Sequence, residues 1–257
     1  MMMDGKIALS LGVPLKNSVA YLKELFDSLE QQAYLPREIL FVDDASMDQT
    51  VTIVEAFMCR HPDWNIVLHR NASSLGIAGN YNRIIDIASA AWVQILDADD
   101  FLKPHYYETV LPYLHGDGVA IITGMTSNIA LINLVNSLFG WLIPQKLPTW
   151  LPVLGCFATR SGVIYRTDVV KTHQFPNPVF DGSDILHLMD LRNTGRYVSY
   201  IRQAQVFYRI HPQSTTNTMK HENRYVQSLR QQKSANVLWY YVDYYLRKKV
   251  FKFIRNC

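Results

Sequence analysis

The sequence predicts an α/β fold, a mainly parallel sheet flanked by helices, on three observations. Short apolar runs alternate with stretches whose apolar residues recur at three- and four-residue spacing, the pattern of successive βαβ units. Gly, Pro and Asp punctuate the boundaries between them. Two strand-like runs stop at clustered carboxylates, Asp43-Asp44 and Asp97-Ala98-Asp99-Asp100.

Taken in order, residues 7–13 form a first strand ended by Pro14. A helix follows over 18–33, with Ser18 as N-cap and Val19, Leu22, Leu25, Phe26 and Leu29 on its inner face. Residues 38–42 are a second strand, 48–59 a helix, 66–69 a third strand and 79–91 a third helix. The fourth strand, 92–96, runs into three carboxylates within four positions. Such crowding is repulsive unless a cation neutralises it, and divalent metals take hard oxygen ligands. Ligands of open α/β sheets bind outside the carboxyl ends of the strands. Two acidic strand ends on one edge therefore suggest a nucleotide-diphosphate crevice. The competing reading is an acidic turn that caps the next helix ahead of Pro104.

Bulk properties bound the class. The 257 residues are 49% hydrophobic and 18% charged, which suits one large core or two modest ones. The net charge of +3 is too small to argue for nucleic acid. Cys59, Cys156 and Cys257 are too widely spaced for a disulfide framework or a zinc site. The N-terminal residues carry no signal-peptide pattern, so a reducing cytoplasm is expected. The apolar run 129–143 is interrupted by Asn133 and Asn136 and stopped by Pro144, too short to span a bilayer.

With these motifs in place, the chain resembles the family 2 glycosyltransferases, inverting enzymes of the GT-A fold that use nucleotide-sugar donors. Val13-Pro14-Leu15-Lys16-Asn17 matches the family's first turn, and Asp43-Asp44-Ala45-Ser46-Met47-Asp48-Gln49-Thr50 its Asp-Asp-x-Ser-x-Asp-x-Thr signature. Leu96 to Asp100 reproduces Leu-Asp-Ala-Asp-Asp. The family's Asn-x-Gly…Arg-Asn segment is altered here: Ser74-Leu75-Gly76 replaces its first part, and Tyr81 precedes Asn82 where an Arg is usual. Ala90 stands where a Gly is common, and Ser183 where a Glu is. The resemblance covers residues 5–215.

The resemblance implies roles by position. Asp99 would ligate Mn2+ or Mg2+, Asp97 would lie near the donor ribose or the metal, and His211, in Arg209-Ile210-His211, would complete the coordination. Imidazole suits manganese better than magnesium. Pro14 and Asn17 would shape the turn that meets the nucleobase, and either Asp43 or Asp44 would accept from a base N–H. Asn82 would bind the donor or orient the loop carrying the acids. Asp184, eleven positions before Gly195, would be the general base that takes the acceptor hydroxyl's proton.

The implied organisation is a glycosyltransferase domain over 1–220, with a nucleotide-sugar half at 5–115 and an acceptor half at 116–220. A basic aromatic helical tail follows at 221–257. Trp239, Tyr240, Tyr241, Tyr244 and Tyr245 precede Arg247, Lys248, Lys249, Lys252 and Arg255, the pattern of a membrane-surface helix or of one docked on the body. The expected activity is transfer from a UDP-sugar to a glycan hydroxyl, with a lipid-linked surface polysaccharide precursor as acceptor. The protein would then lie at the inner face of the membrane. The alternative is a degenerate nucleotide-sugar-binding or scaffolding protein.

Overall fold

The computed structural model describes residues 2–3, 6–147, 159–176, 187–188, 190–191, 194 and 196–212. The strands are β1 (Met2–Met3), β2 (Lys6–Leu15), β3 (Leu35–Asp43), β4 (Ile66–Arg70), β5 (Trp92–Ile95), β6 (Phe101–Leu102), β7 (Ala120–Ser127), β8 (Lys146–Leu147), β9 (Val163–Arg166) and β10 (Val198–Tyr208). The helices are α1 (Val19–Glu30), α2 (Thr50–Arg60), α3 (Gly76–Ile87), α4 (Tyr106–Val110), α5 (Ala130–Phe139) and α6 (Thr167–Val170). One sheet holds them together in the order β4-β3-β2-β5-β9-β7-β10-β6. It is the predicted α/β arrangement, a mainly parallel sheet flanked by helices.

The direction of the strands decides what meets at the edge. β4, β3, β2 and β5 are mutually parallel. β9 runs antiparallel to both β5 and β7, so β7 points the same way as β5, and β10 is parallel to β7. The carboxyl ends of β2, β3, β5 and β10 therefore share one edge with the amino end of β9. Residues far apart in sequence converge there.

Alternation along the strands builds two cores. On β2, Ile7, Leu9, Leu11, Val13 and Leu15 face the layer of α1 and α2, where Leu22, Leu25, Phe26, Val54 and Phe57 pack against them. Phe26 and Phe57 stack at 4.0 Å between ring centroids. Leu40, Val42, Val93 and Ile95 face the opposite layer with Ile84 and Ile85 of α3. Val19 is 37% exposed, so the inner face of α1 begins at Leu22. Ser18 does sit at the N-cap position, but its hydroxyl accepts from the Lys16 N–H rather than from the helix.

On its second face β2 presents Ser10, Gly12 and Pro14, and α3 lies close there. A Cβ on Gly12 would fall 2.0 Å from Ile84 Cγ2. Gly12→Ala is therefore expected to cost about 1–3 kcal/mol by overpacking. A urea midpoint equal to wild type would show that α3 can withdraw freely.

Two local readings are corrected. Pro14 lies within β2 rather than ending it, because the ladder to β5 stops at Gly12 and leaves the proline paired with β3 alone. The acidic turn after β5 leads into β6, not into a helix, and α4 is entered through His105 with φ +62°. The last long strand, β10, holds a register shift between Ile201 and Gln205.

Candidate active site

Asp44 sits just past β3 and is 4% exposed. Its carboxylate accepts from Asn71 Nδ2 at 3.0 Å, the Ser74 hydroxyl, the Leu75 N–H at 2.7 Å and the Gly76 N–H at 3.2 Å. No side chain of its own segment caps α3, so Asp44 caps it from another part of the chain. Burial pushes the carboxyl up, but the hydrogen bonds from Ser74, Leu75, Asn71 and Gly76 outweigh it and hold the group below its usual 3.8. Lys16 Nζ adds a hydrogen bond to the Asp44 carbonyl.

Asp43, fully buried, closes the following turn by accepting from the Ser46 N–H at 3.2 and 3.3 Å. Asn17 has φ +49°, which Asn tolerates, and clasps the same turn. Its N–H donates to Ser46 Oγ and its Oδ1 accepts from the Met47 N–H, both at 2.9 Å. Pro14 is half-buried one residue before the end of β2.

The second acidic group is held from three directions. The Asp97 carboxylate accepts from the Tyr81 hydroxyl at 2.7 Å on Oδ1, and Arg160 Nη1 lies 3.7 Å from Oδ2. The Ser161 hydroxyl accepts from the Asp97 N–H at 3.1 Å and donates to Asp100. Asp100 is 2% exposed and also accepts from the Arg209 N–H at 2.9 Å. Burial first, then the charges of Asp99 and Asp97, push its carboxyl well above the usual range. Arg209 Nε donates to the Asp99 carbonyl at 2.9 Å, and its guanidinium pairs with Glu24 of α1.

Asp99 itself is half-buried, and His211 Nε2 lies 3.0 Å from its Oδ2. The Tyr21 hydroxyl lies 3.3 Å from His211 Nδ1, and in the tautomer with its proton on Nδ1 the hydroxyl accepts from it and Nε2 keeps its lone pair for a metal. Thus the fourth strand's acids and the loop after β10 meet across 112 residues of sequence.

The donor set fits a divalent ion. Among the described residues no three His, Cys, Asp or Glu side chains cluster as a complete protein cage. Magnesium-type ions seldom use one: they take one or two protein ligands and complete the shell with water and substrate phosphates. The 3.0 Å between Asp99 Oδ2 and His211 Nε2 matches neighbouring ligands of one ion, since bonds of about 2.1 Å at right angles put them about 3 Å apart.

Not every candidate gathers there. Asn82 donates to the Phe175 carbonyl at 3.0 Å and accepts from the Phe175 N–H at 2.9 Å, so its amide ties α3 to the segment after α6. Asp184, Ser183 and the tail at 221–257 lie outside the described residues. Leu188 and Leu191, a few residues on, are both buried. Arg160, Ser161, Tyr21 and Lys16 escaped sequence reasoning. Only Lys16, inside the first-turn motif, carried a local signal.

Comparison with known proteins agrees with this architecture. The family model described as Glycosyl transferase family 2 matches residues 10–151. Glycosyltransferase GlyG of Streptococcus pneumoniae is 29% identical over 116 residues, 45% of this chain and 38% of that protein. The chain spans only 31% to 38% of the length of the first curated relatives it matches. Among solved structures, S. aureus TarS in complex with UDP-GlcNAc superposes with a TM-score of 0.65 at 20% identity, over 87% of this chain and 64% of that one. The mannosyltransferase PcManGT of Pyrobaculum calidifontis, in complex with GDP-Man and Mn2+, gives 0.70 at 16%, over 90% and 67%. With the family match covering more than half of its length, the chain belongs to glycosyl transferase family 2.

Proposed function

We propose that the chain is an inverting, metal-dependent glycosyltransferase that moves a hexosyl or N-acetylhexosaminyl group from a UDP-sugar to a glycan hydroxyl. The observation that carries this reading is the Asp99–His211 contact at the strand edge where β2, β3, β5 and β10 all end. A Mn2+ or Mg2+ held by these two side chains would neutralise charge on the leaving diphosphate as a Lewis acid. TarS and PcManGT, whose structures hold UDP-GlcNAc and GDP-Man with Mn2+, support a nucleotide-sugar donor.

Each residue then has a task. Pro14 and Asn17 shape the base-side turn. Asp44 accepts four hydrogen bonds from the protein and the fully buried Asp43 closes the Ser46 turn, so the two acids hold the wall against which the base would lie. Asp97 is fixed by Tyr81 and Arg160 and lies toward the donor ribose. Asn82 acts indirectly by anchoring α3. Asp184 is assigned as general base on its distance from Gly195 in the family resemblance.

The acceptor is assigned to a lipid-linked surface polysaccharide precursor. Leu134, Trp141 and Leu142 in and after α5 expose more than half of their surface, which supports an apolar acceptor. The basic aromatic pattern over 239–255 supports contact with the inner membrane face. No helix among the described residues is long and apolar enough to cross a membrane.

The reading is tested by incubating the chain with a panel of UDP- and GDP-sugars, Mn2+ and membrane extract, with products followed by mass spectrometry. Transfer or donor hydrolysis is expected with at least one UDP-sugar. Nucleotide binding without turnover across the panel would favour a scaffolding role instead. For Asp184→Asn, kcat is expected to fall by about 10^2–10^4 while UDP affinity stays near wild type. An unchanged kcat would remove Asp184 from the mechanism.

A further inference from the structure

We propose that Arg160, stacked on Tyr81, supplies the fixed positive charge that an arginine at position 81 brings in the family signature, and that it thereby positions Asp97 and sets donor affinity. The inference deepens the proposed function and rests on it.

The geometry starts from α3. Tyr81 is 4% exposed and offers a ring face rather than a cation at the acidic edge. Arg160 arrives from a different direction, on the single 3₁₀ turn Arg160–Gly162 that leads into β9. Because β9 is antiparallel to β5, its first residues lie at the edge where β5 releases Asp97. The Arg160 guanidinium carbon lies 4.7 Å from the centre of the Tyr81 ring, and Nη1 donates to the Tyr81 oxygen. The Tyr81 hydroxyl in turn donates to Asp97 Oδ1, while Arg160 faces Oδ2. Burial above all keeps Tyr81 protonated, so it remains a donor to Asp97.

Charge explains why this matters. The edge gathers Asp97, Asp99 and Asp100 and must also receive a diphosphate. Asp99 is paired with His211, and Asp100 accepts from the Ser161 hydroxyl and the Arg209 N–H. Arg160 provides a counter-charge to Asp97. A planar guanidinium stacks on a ring and keeps its charge in one place, whereas a lysine ammonium does neither. Removing the charge would weaken the hold on the Oδ2 side of Asp97 and would add repulsion toward the donor phosphates. Arg160 is thus a positioning residue whose loss falls mainly on donor binding.

The test uses the full chain with UDP and GDP, each with Mn2+, as calorimetric probes, and the best sugar nucleotide of the panel for kinetics. Arg160→Ala is expected to weaken UDP binding and raise the donor KM by about tenfold or more, the size of one charge-assisted contact, with a smaller change in kcat. Arg160→Lys is expected to recover only part of the loss. Adding Tyr81→Arg to Arg160→Ala is expected to restore donor KM to within about threefold of wild type, because the charge returns from α3. A merely structural role for Arg160 would not show this rescue. If the alanine variant fails to fold, Arg160→Gln removes the charge while keeping a hydrogen-bond donor for Tyr81. Unchanged UDP affinity and KM in a folded variant overturns the inference, as does failure of Tyr81→Arg to restore binding. A wild-type chain that binds neither UDP nor GDP overturns the glycosyl-transfer reading and this inference together.

Discussion

Replacing Asp99 with alanine is expected to lower sugar transfer by about a thousandfold or more, since Lewis-acid stabilisation of a leaving group supplies several kcal/mol. The loop should survive the change. Arg209 holds the Asp99 carbonyl and the Asp100 carboxylate, and neither contact involves the Asp99 side chain. The loss would therefore be chemical, with melting temperature within a few degrees of wild type. His211→Ala removes the second ligand but leaves the carboxylate, so its expected signature differs: the Mn2+ concentration for half-maximal rate rises, and excess Mn2+ recovers part of the activity. Initial rates of both variants across a Mn2+ titration check this. Wild-type rate in Asp99→Ala, or an unaltered Mn2+ dependence in both variants, would remove the metal from the proposed site.

Much of the first half of the fold was legible because its signals are local. Each βαβ unit carries its own periodicity, and Leu40 and Phe41 face opposite cores as strict alternation requires. The acidic strand ends were legible for the same reason. Their roles were not. Nothing in Asp43-Asp44 says that one carboxylate closes its own turn while the other reaches Ser74, Leu75 and Gly76 some thirty residues on. The second half was harder still, because β9 reverses direction and β10 shifts register midway, features set by packing between distant segments. Gly124 shows the constraint: a Cβ there would meet the Arg202 carbonyl oxygen at 2.5 Å, beside the shift in β10. Periodicity gave no reason to bring Arg160 to Tyr81 across 79 residues. His211 was nominated by family resemblance, and its contact with Asp99 became visible only with the topology.

Asp44→Ala is expected to destabilise the chain by about 3 kcal/mol, because it strands four donors that a buried carboxylate now satisfies. The damage should concentrate at the start of α3, which has no capping side chain of its own. Donor binding should weaken as well, since α3 also carries Tyr81 and, through Asn82, the segment at Phe175. Asp44→Asn isolates the charge. Its amide can still accept hydrogen bonds but brings an NH2 against N–H groups that already donate. The sign of the pH dependence follows from the direction of the shift. The carboxyl is held below 3.8 in the folded chain, so the unfolded chain binds more protons in the interval beneath that value. Its contribution is present in full above the unfolded pKa and is lost as pH falls through the folded one. The gap in urea midpoint between wild type and Asp44→Asn should therefore be constant from about pH 7 to pH 5 and shrink toward about pH 3. A gap that widened on acidification, or that was absent at neutral pH, would mean that Asp44 does not hold α3 in place.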